Sequence, residues 1–145
     1  MTIRTLILDK MEFTSVNKVF EAAFKKNWVR PAISNYQGET LCFRDVARRM
    51  EKLHIMFEEC GLEKGHKVAI CSRNQANWAV SFLATMTYGA VPVPLLHEFK
   101  SANIHHLVNH SEAKILFVDE VIWEGLSETE MPGLQAIIQV NRSEE

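Results

Sequence analysis

The sequence predicts an α/β fold in which a mostly parallel sheet carries helices on both of its faces. Short apolar segments rich in β-branched residues alternate with helical segments along most of the 145 residues. Such alternation is typical of parallel sheets that are covered on both sides. The pattern is clearest in residues 67–94, where a buried strand, a polar turn, an apolar helix, a glycine and a second buried strand follow one another.

The predicted elements begin with an amphipathic helix at residues 14–28, where apolar side chains recur at steps of three and four and Thr14 or Ser15 supplies the cap. Residues 32–43 form two short runs around Gln37 and Gly38. They predict a β-hairpin, because glycine tolerates the positive φ that such turns need.

Residues 44–60 predict a second helix, because their apolar positions are spaced 4, 3, 4 and 3 and Gly61 follows as a left-handed cap. After a strand at 67–71, the helix at 75–88 has large apolar residues on one face and alanines and threonines on the other, so we expect burial on most sides. The strand at 90–95 contains two prolines that cannot donate ladder hydrogen bonds, and it should therefore be short or peripheral.

The C-terminal third continues the alternation. The sequence predicts a helix at 101–110, a strand at 114–118, a helical turn at 120–126 and a fourth strand at 136–140. We expect one α/β domain over residues 1–145, with residues 1–13 and 141–145 frayed.

The composition limits the classes of function. Apolar residues make up 47% of the chain and charged residues 23%, which is the balance of a globular domain. The net charge of −2 supplies no field that would attract nucleic acid or an acidic membrane surface, so we expect no nucleic-acid partner. The apolar stretch at 79–96 contains prolines and polar residues, and we expect no membrane span.

Cysteine usage favours a cytoplasmic location. Cys42, Cys60 and Cys71 are odd in number and show no CxxC spacing. Cys42 and Cys71 lie in apolar strand patterns, where a free cysteine behaves as a small buried hydrophobe. Such cysteines suit a reducing compartment, and the first residues lack the pattern of a secretory signal.

No phosphate-binding loop is visible in the sequence, although an open parallel sheet normally binds ligands beyond the carboxyl ends of its strands. The six glycines form neither GxGxxG nor GxxxxGK[ST]. Ser72, Arg73 and Asn74 lie where such a site would be, and their side chains are able to contact an anion. We favour the alternative, in which Ser72 or Asn74 caps the following helix and Arg73 faces solvent.

A histidine cluster offers a second candidate site. His97, His105, His106 and His110 lie within fourteen residues, and a helix places His106 and His110 on one face. A zinc site needs further ligands, for which His97 or Glu112 are the candidates, but no established ligand spacing is met. A polar helix face is the favoured interpretation.

Other catalytic arrangements find little support. No cysteine has a histidine in a recognisable local signature. Asp119 and Glu120 are adjacent, so they do not face one another as an acid–base pair should. Arg48 and Arg49 fit the solvated outer face of their helix. We therefore predict no catalytic, cofactor-binding or metal-binding residue in this chain.

Four segments carry a family resemblance and appear in order: ETLCFRDVARRMEKL, CGLEKGHKVAICSRNQANW, YGAVPVPL and HLVNHSEAKILFVDE. Together they resemble the opening of the AMP-forming acyl-activating enzymes, which include acyl-CoA synthetases, peptide-synthetase adenylation domains and firefly luciferase. The chain looks most like a bacterial long-chain fatty-acid–CoA ligase over roughly residues 31–120. It departs from the family pattern at His66, where an aspartate is frequent, and at Asn77, where an acidic residue is frequent.

The resemblance implies that the chain is the N-terminal part of a longer ligase. Such enzymes join a carboxylic acid to AMP with release of pyrophosphate, and the thiol of coenzyme A then displaces AMP. ATP, Mg²⁺, coenzyme A and a fatty acid are therefore implied for the full-length parent, and the family's catalytic motifs lie downstream of the matched segment. We expect this chain alone to be inactive, to pack against the remainder of the parent, and to self-associate through exposed apolar surface.

Two other interpretations stay open. The first is a complete small α/β module that binds a ligand or a partner without catalysis, and ligand binding by this chain alone would favour it. The second is a regulatory metal-binding module built on the histidine cluster, which predicts a change of thermal stability with added zinc.

Overall fold

The computed structural model describes residues 15–140, and the frayed ends expected at 1–13 and 141–145 lie outside that range. The elements are α1 (Val16–Asn27), β1 (Pro31–Ser34), β2 (Thr40–Cys42), α2 (Phe43–Glu59), β3 (Lys67–Cys71), α3 (Ala76–Tyr88), β4 (Val91–Pro94), α4 (Ser101–Ser111), β5 (Ile115–Val118), α5 (Glu120–Trp123), a 3₁₀ turn (Glu128–Glu130) and β6 (Ala136–Gln139). Each predicted strand and helix is present, with ends that differ by a few residues, and Ser15 caps α1.

The main sheet of the described part is parallel, with the strand order β4-β3-β5-β6. A separate antiparallel pair, β1 and β2, precedes it. Because side chains alternate across a strand, β3 sends Val68 and Ile70 to one face and Ala69 and Cys71 to the other. Helices α2 and α3 cover the first face, and α4 with α5 covers the second. The predicted α/β class is therefore confirmed.

The centre of the first core is Phe57 of α2, whose side chain is fully buried. Its ring lies 5.4 Å from Tyr88 and 5.9 Å from Phe117, and both contacts are edge-to-face. The predicted apolar face of α2 is confirmed, since Val46 and Met50 are buried on the same side. Gly61 follows with φ +71, as expected for the left-handed end of a helix.

Helix α3 is buried on most sides, as predicted. Its small residues are the most deeply buried, and its large apolar residues pack against the same core while remaining half-buried. Val80, Ala84 and Thr85 are buried, whereas Trp78 and Phe82 stack on each other 5.4 Å apart and are half-buried. Small side chains let the helix approach the sheet and α2 closely. The Thr85 hydroxyl donates to the Ser81 carbonyl at 2.8 Å, which satisfies a polar group in this buried position.

The hairpin turn differs from the prediction by one residue. The amide of Gly38 donates to the Asn35 carbonyl at 3.1 Å, so the turn spans residues 35–38. The left-handed conformation therefore falls on Gln37, with φ +54, rather than on Gly38. A Cβ added at position 38 would lie 3.2 Å from the Asn35 Cβ, a tight contact that Asn35 would have to relieve by a small shift.

Strand β4 forms one edge of the sheet, as its prolines predicted. The amides of Val91 and Leu95 donate to the carbonyls of His66 and Ile70, both at 2.8 Å. Pro92 alternates with Val91 along the strand, so its ring nitrogen points away from β3. Over residues 15–140, no helix combines the length and apolar character that a membrane crossing requires.

Candidate functional site at the carboxyl edge of the sheet

The order of the strands creates one natural crevice. Strand β4 is the neighbour of β3 on one side. After β4 the chain crosses back over β3 and forms β5, the neighbour of β3 on the other side. The chain leaves β3 toward α3 on one face and leaves β5 toward α5 on the other face. Open parallel sheets bind their ligands at such a divergence, so the carboxyl ends of β3 and β5 form the first candidate site.

An ion pair between Arg73 and Asp119 occupies this crevice. Arg73 donates from Nε to Oδ2 of Asp119 at 2.7 Å and from Nη2 to Oδ1 at 3.1 Å, which is the bidentate geometry of a strong pair. The Asp119 side chain is 0% exposed and that of Arg73 is 55% exposed. Asp119 also accepts from the amide of Val121 at 3.0 Å and thereby caps α5.

The electrostatics of the pair favour its charged form. Burial alone would raise the pKa of Asp119, but the hydrogen bonds from Arg73 and Val121 and the charge of Arg73 outweigh burial and hold that pKa below its ordinary value. The hydrogen bond to Asp119 raises the pKa of Arg73 in turn. Asp119 is therefore ionised at neutral pH and already engaged, which makes it a poor general base.

Cys71, the last residue of β3, is not a nucleophile in this environment. Its side chain is buried, and its Sγ lies 3.9 Å from the Leu96 carbonyl. Burial, with a smaller contribution from the charge of Asp119, raises the pKa of the Cys71 thiol to about 11. Since the thiolate is the reactive form, this thiol is protonated and inert at neutral pH.

The sequence prediction for the cap of α3 was wrong. The residue before α3 is Gln75, whose side chain makes no capping bond. Ser72 instead donates to the Arg73 carbonyl and accepts from Gln75. The amide of Ala76 is satisfied by Asn35 of the hairpin turn, whose Oδ1 accepts from it at 2.7 Å. Arg73 is partly exposed but is held by Asp119, so it does not simply face solvent.

We expect Asn35→Ala to lower the free energy of unfolding by about 1 kcal/mol, because the first amide of α3 loses its acceptor. Urea denaturation measures the change. Tyr36→Ala is the matched control, since Tyr36 is 92% exposed in the same turn and its removal should change stability little. Adding Gln75→Ser to the Asn35 variant should restore part of the loss through a local cap. Equal stability of the Asn35 and Tyr36 variants would contradict this role.

A second polar network joins the hairpin to the end of β6. Arg49 donates to Glu39 and to Asn77, both at 2.7 Å. Asn77 in turn donates from Nδ2 to the Val140 carbonyl at 2.7 Å. We predicted that Arg48 and Arg49 both lie on the solvated face of their helix. This is confirmed for Arg48, which is exposed, but not for Arg49, which is half-buried. An acidic residue at position 77 would accept a hydrogen bond from Arg49, but it could not donate one to the Val140 carbonyl. Asn77, where the family frequently has an acidic residue, therefore has a structural role.

The histidine cluster does not converge on a metal site. His106 and His110 are exposed on α4 with their rings stacked 5.8 Å apart. His105 is turned elsewhere and accepts from the amide of Ser127 at 3.0 Å. Across the part of the chain that the structure describes, no three His, Cys, Asp or Glu side chains are placed to hold a metal ion.

The residues at the crevice do not fit a nucleotide with its metal ion. No glycine-rich loop precedes α3 in the described residues. The acidic side chain between the ends of β3 and β5 is Asp119, which is already bound by Arg73. The ion pair was missed from the sequence because its partners are 46 residues apart. One signal was available: Arg73 and Asp119 each follow the carboxyl end of a buried strand, and parallel strands bring those ends to one edge.

Comparison of the sequence with known proteins gives consistent matches. The profile of the family described as AMP-binding enzyme matches residues 20–144. Fatty acyl-CoA synthetase A of Dictyostelium discoideum is 29% identical over 79 residues, which cover 54% of this chain and 12% of that protein. A CoA ligase of Gibberella moniliformis is 27% identical over 139 residues, covering 86% of this chain and 22% of the ligase.

Solved structures give the same result for the fold. A long-chain-fatty-acid–CoA ligase from Archaeoglobus fulgidus superposes with a TM-score of 0.75 at 24% identity, covering 86% of this chain and 27% of the ligase. An anthranilate CoA ligase in complex with anthranoyl-AMP superposes with a TM-score of 0.80 at 18% identity, covering 91% and 26%. The chain thus spans about a quarter of the length of the enzymes whose fold it shares.

Proposed function

Because the chain belongs to the AMP-binding enzyme family, we propose that it is the N-terminal structural part of an ATP-dependent fatty-acid–CoA ligase. The proposal is supported by the family match over residues 20–144. It is also supported by coverage, because the chain matches only a small fraction of the length of each relative. In this proposal, residues 1–145 form one α/β domain and the remainder of the parent is the partner. The predicted cytoplasmic location belongs to the same proposal.

The role we propose for this part is to support the reacting groups without touching them. The crevice at the carboxyl edge is closed by the Arg73–Asp119 pair, and the Cys71 thiol is protonated. Both features suit a supporting sheet that presents no free group for phosphate chemistry. ATP, Mg²⁺ and coenzyme A would then be bound by residues of the parent outside this chain, so we derive no catalytic step from the residues described.

A fatty acid is the acid we propose for the parent. The proposal is supported by the names of two similar proteins, the fatty acyl-CoA synthetase of Dictyostelium and the long-chain-fatty-acid–CoA ligase of Archaeoglobus. Similar folds occur in a benzoate CoA ligase and in the anthranilate CoA ligase. Aromatic acids are therefore the comparison substrates in any test.

The test is ATP–pyrophosphate exchange by the 145-residue chain with fatty acids of several lengths and with benzoate. We expect no exchange above the background without enzyme, while a full-length fatty acyl-CoA synthetase assayed in parallel exchanges readily. Equilibrium dialysis with labelled ATP and with a labelled fatty acid should show no saturable binding. Turnover by this chain would contradict the structural role, and saturable binding without turnover would favour the ligand-binding module.

A further inference from the structure

Charge is distributed unevenly along the chain, although the net charge of −2 is small. Residues 15–50 carry seven basic and three acidic side chains, whereas residues 51–140 carry six basic and eleven acidic ones. The first part is therefore net positive and the second part is net negative. The small net charge, from which we expected no attraction to an acidic membrane surface, conceals this separation.

The positive charges come together where α1 ends and α2 begins. The Arg44 amide donates to the Trp28 carbonyl and the Phe43 amide donates to the Arg30 carbonyl, both at 3.0 Å. Arg48 follows Arg44 by one helical turn on the same face of α2. We use the name basic patch for seven exposed side chains at this end of the two helices: Lys25, Lys26, Trp28, Val29, Arg30, Arg44 and Arg48.

The stability of the fold does not explain these cations. Arg44 lies in the first turn of α2, where the helix dipole favours anions over cations. Its Nε lies 3.7 Å from Asp45, a carboxylate that already accepts from the Cys42 amide. Within residues 15–140, Lys26, Arg30 and Arg48 form no ion pair, and Lys25 pairs with Glu21. Even after Glu21 and Asp45 are counted, the patch keeps three positive charges.

Two apolar side chains protrude among the cations. Trp28 is 44% exposed and Val29 is 68% exposed, and both lie in the turn that joins α1 to β1. An indole combines an apolar ring with one N–H donor, which suits the boundary between lipid headgroups and hydrocarbon. Cations around an exposed tryptophan and an aliphatic residue are the arrangement by which proteins bind at a membrane surface without crossing it.

We propose that the basic patch binds the surface of membranes that contain anionic lipids, with Trp28 and Val29 inserted among the headgroups. The cations supply the attraction to lipid phosphates, and the two apolar side chains supply the anchor. A nucleic acid offers phosphates but no apolar medium for Val29. A protein partner is disfavoured because lysine is depleted at protein interfaces and two apolar side chains are too few for an interface core.

This inference is independent of the proposed function. It uses none of the residues of the crevice at the carboxyl edge, and it requires no ligase chemistry. The 145-residue chain can therefore be tested directly, and loss of the proposed function would leave the result unchanged.

The first test is sedimentation of the chain with sucrose-loaded vesicles. Vesicles of phosphatidylcholine mixed with phosphatidylglycerol should carry the chain into the pellet, whereas vesicles of phosphatidylcholine alone should not. Raising the salt concentration from about 0.1 M to about 1 M should release the chain, because screening then acts within about 3 Å. No binding to the mixed vesicles, or equal binding to both kinds, would overturn the proposal.

The second test neutralises two cations of the patch. Arg44→Gln with Arg48→Gln should lower the partition coefficient onto mixed vesicles by about thirtyfold, since each cation near an anionic surface contributes about fivefold. Lys64→Gln with Lys100→Gln is the matched control, because both lysines are exposed outside the patch. It should change binding by no more than about twofold. Equal losses in the two variants would assign the binding to net charge and refute the patch.

The third test uses tryptophan fluorescence to read insertion. The emission of the unchanged chain should shift to the blue when mixed vesicles are added, because Trp28 leaves water. Trp28→Phe should still bind but should lose the shift, since Trp78 and Trp123 are already half-buried. A shift that persists in Trp28→Phe would mean that another surface meets the lipid. An RNA oligonucleotide that displaces the chain from vesicles at lower concentration than the lipid would assign the patch to nucleic acid and overturn the proposal.

Discussion

Phe57→Ala is expected to lower the free energy of unfolding by about 3–5 kcal/mol, the range typical of a large aromatic side chain removed from a core. The Phe57 side chain is fully buried, and its ring meets Tyr88 and Phe117 edge-to-face. Tyr88 is held in place by its hydroxyl, which donates to the Leu62 carbonyl at 2.9 Å. The surroundings therefore collapse only partly around the lost ring, and a cavity remains.

Urea denaturation followed by circular dichroism measures this loss. Ile55→Ala is the control on the same helix, because Ile55 is 52% exposed and its truncation should change stability by no more than about 0.5 kcal/mol. Phe57→Leu should fall between the two variants. A loss of less than about 1 kcal/mol for Phe57→Ala would mean that α2 does not pack on the sheet through this face.

Asp119→Ala is expected to cost about 2–3 kcal/mol at neutral pH, because two charge-assisted hydrogen bonds and the cap of α5 are lost together. The liberated Arg73 side chain is already 55% exposed and can be hydrated, which limits the cost. Arg73→Ala leaves the buried carboxylate with its Val121 amide but without its cation, so we expect the pKa of Asp119 to rise in that variant. Asp119→Asn keeps the shape and removes the charge.

The same pair predicts a specific response to acid. The pKa of Asp119 is lowered in the folded state, below an unfolded value of about 3.9. The carboxylate therefore stabilises the fold fully above about pH 5, and its contribution declines as the pH falls through the folded pKa. The stability gap between the unchanged chain and Asp119→Asn should be widest at neutral pH and should shrink in acid. A constant gap from about pH 7 to pH 3 would exclude this charge effect.

The sequence was sufficient for what depends on short-range periodicity. The apolar steps of α2, the β-branched run of β3 and the prolines of β4 each predicted an element and its position, because the spacing of apolar residues reflects which side meets the core. Helix α3 was predicted to be buried on most sides, and it is. Which of its residues are buried most deeply was not predicted: Val80 and Ala84 are buried, whereas Trp78 and Phe82 pack half-buried against the same core.

The polar contacts of the candidate site could not be predicted from local patterns. Asn35 reaches the start of α3 across 41 residues, and Arg73 reaches Asp119 across 46. Each contact depends on which strands become neighbours, and no short segment encodes that order. The absence of a phosphate loop was visible in the sequence, whereas the ion pair at the same crevice was signalled only by the positions of Arg73 and Asp119 after two buried strands.

The network through Arg49 also bears on how the molecule opens. Glu39, Arg49, Asn77 and the Val140 carbonyl form one chain of contacts, each 2.7 Å long, from the hairpin to the last strand. The hairpin and β6 are therefore mechanically joined although they belong to different sheets. Their backbone amides should become accessible to deuterium in the same opening event, so that these two sequence-distant elements behave as one cooperative unit.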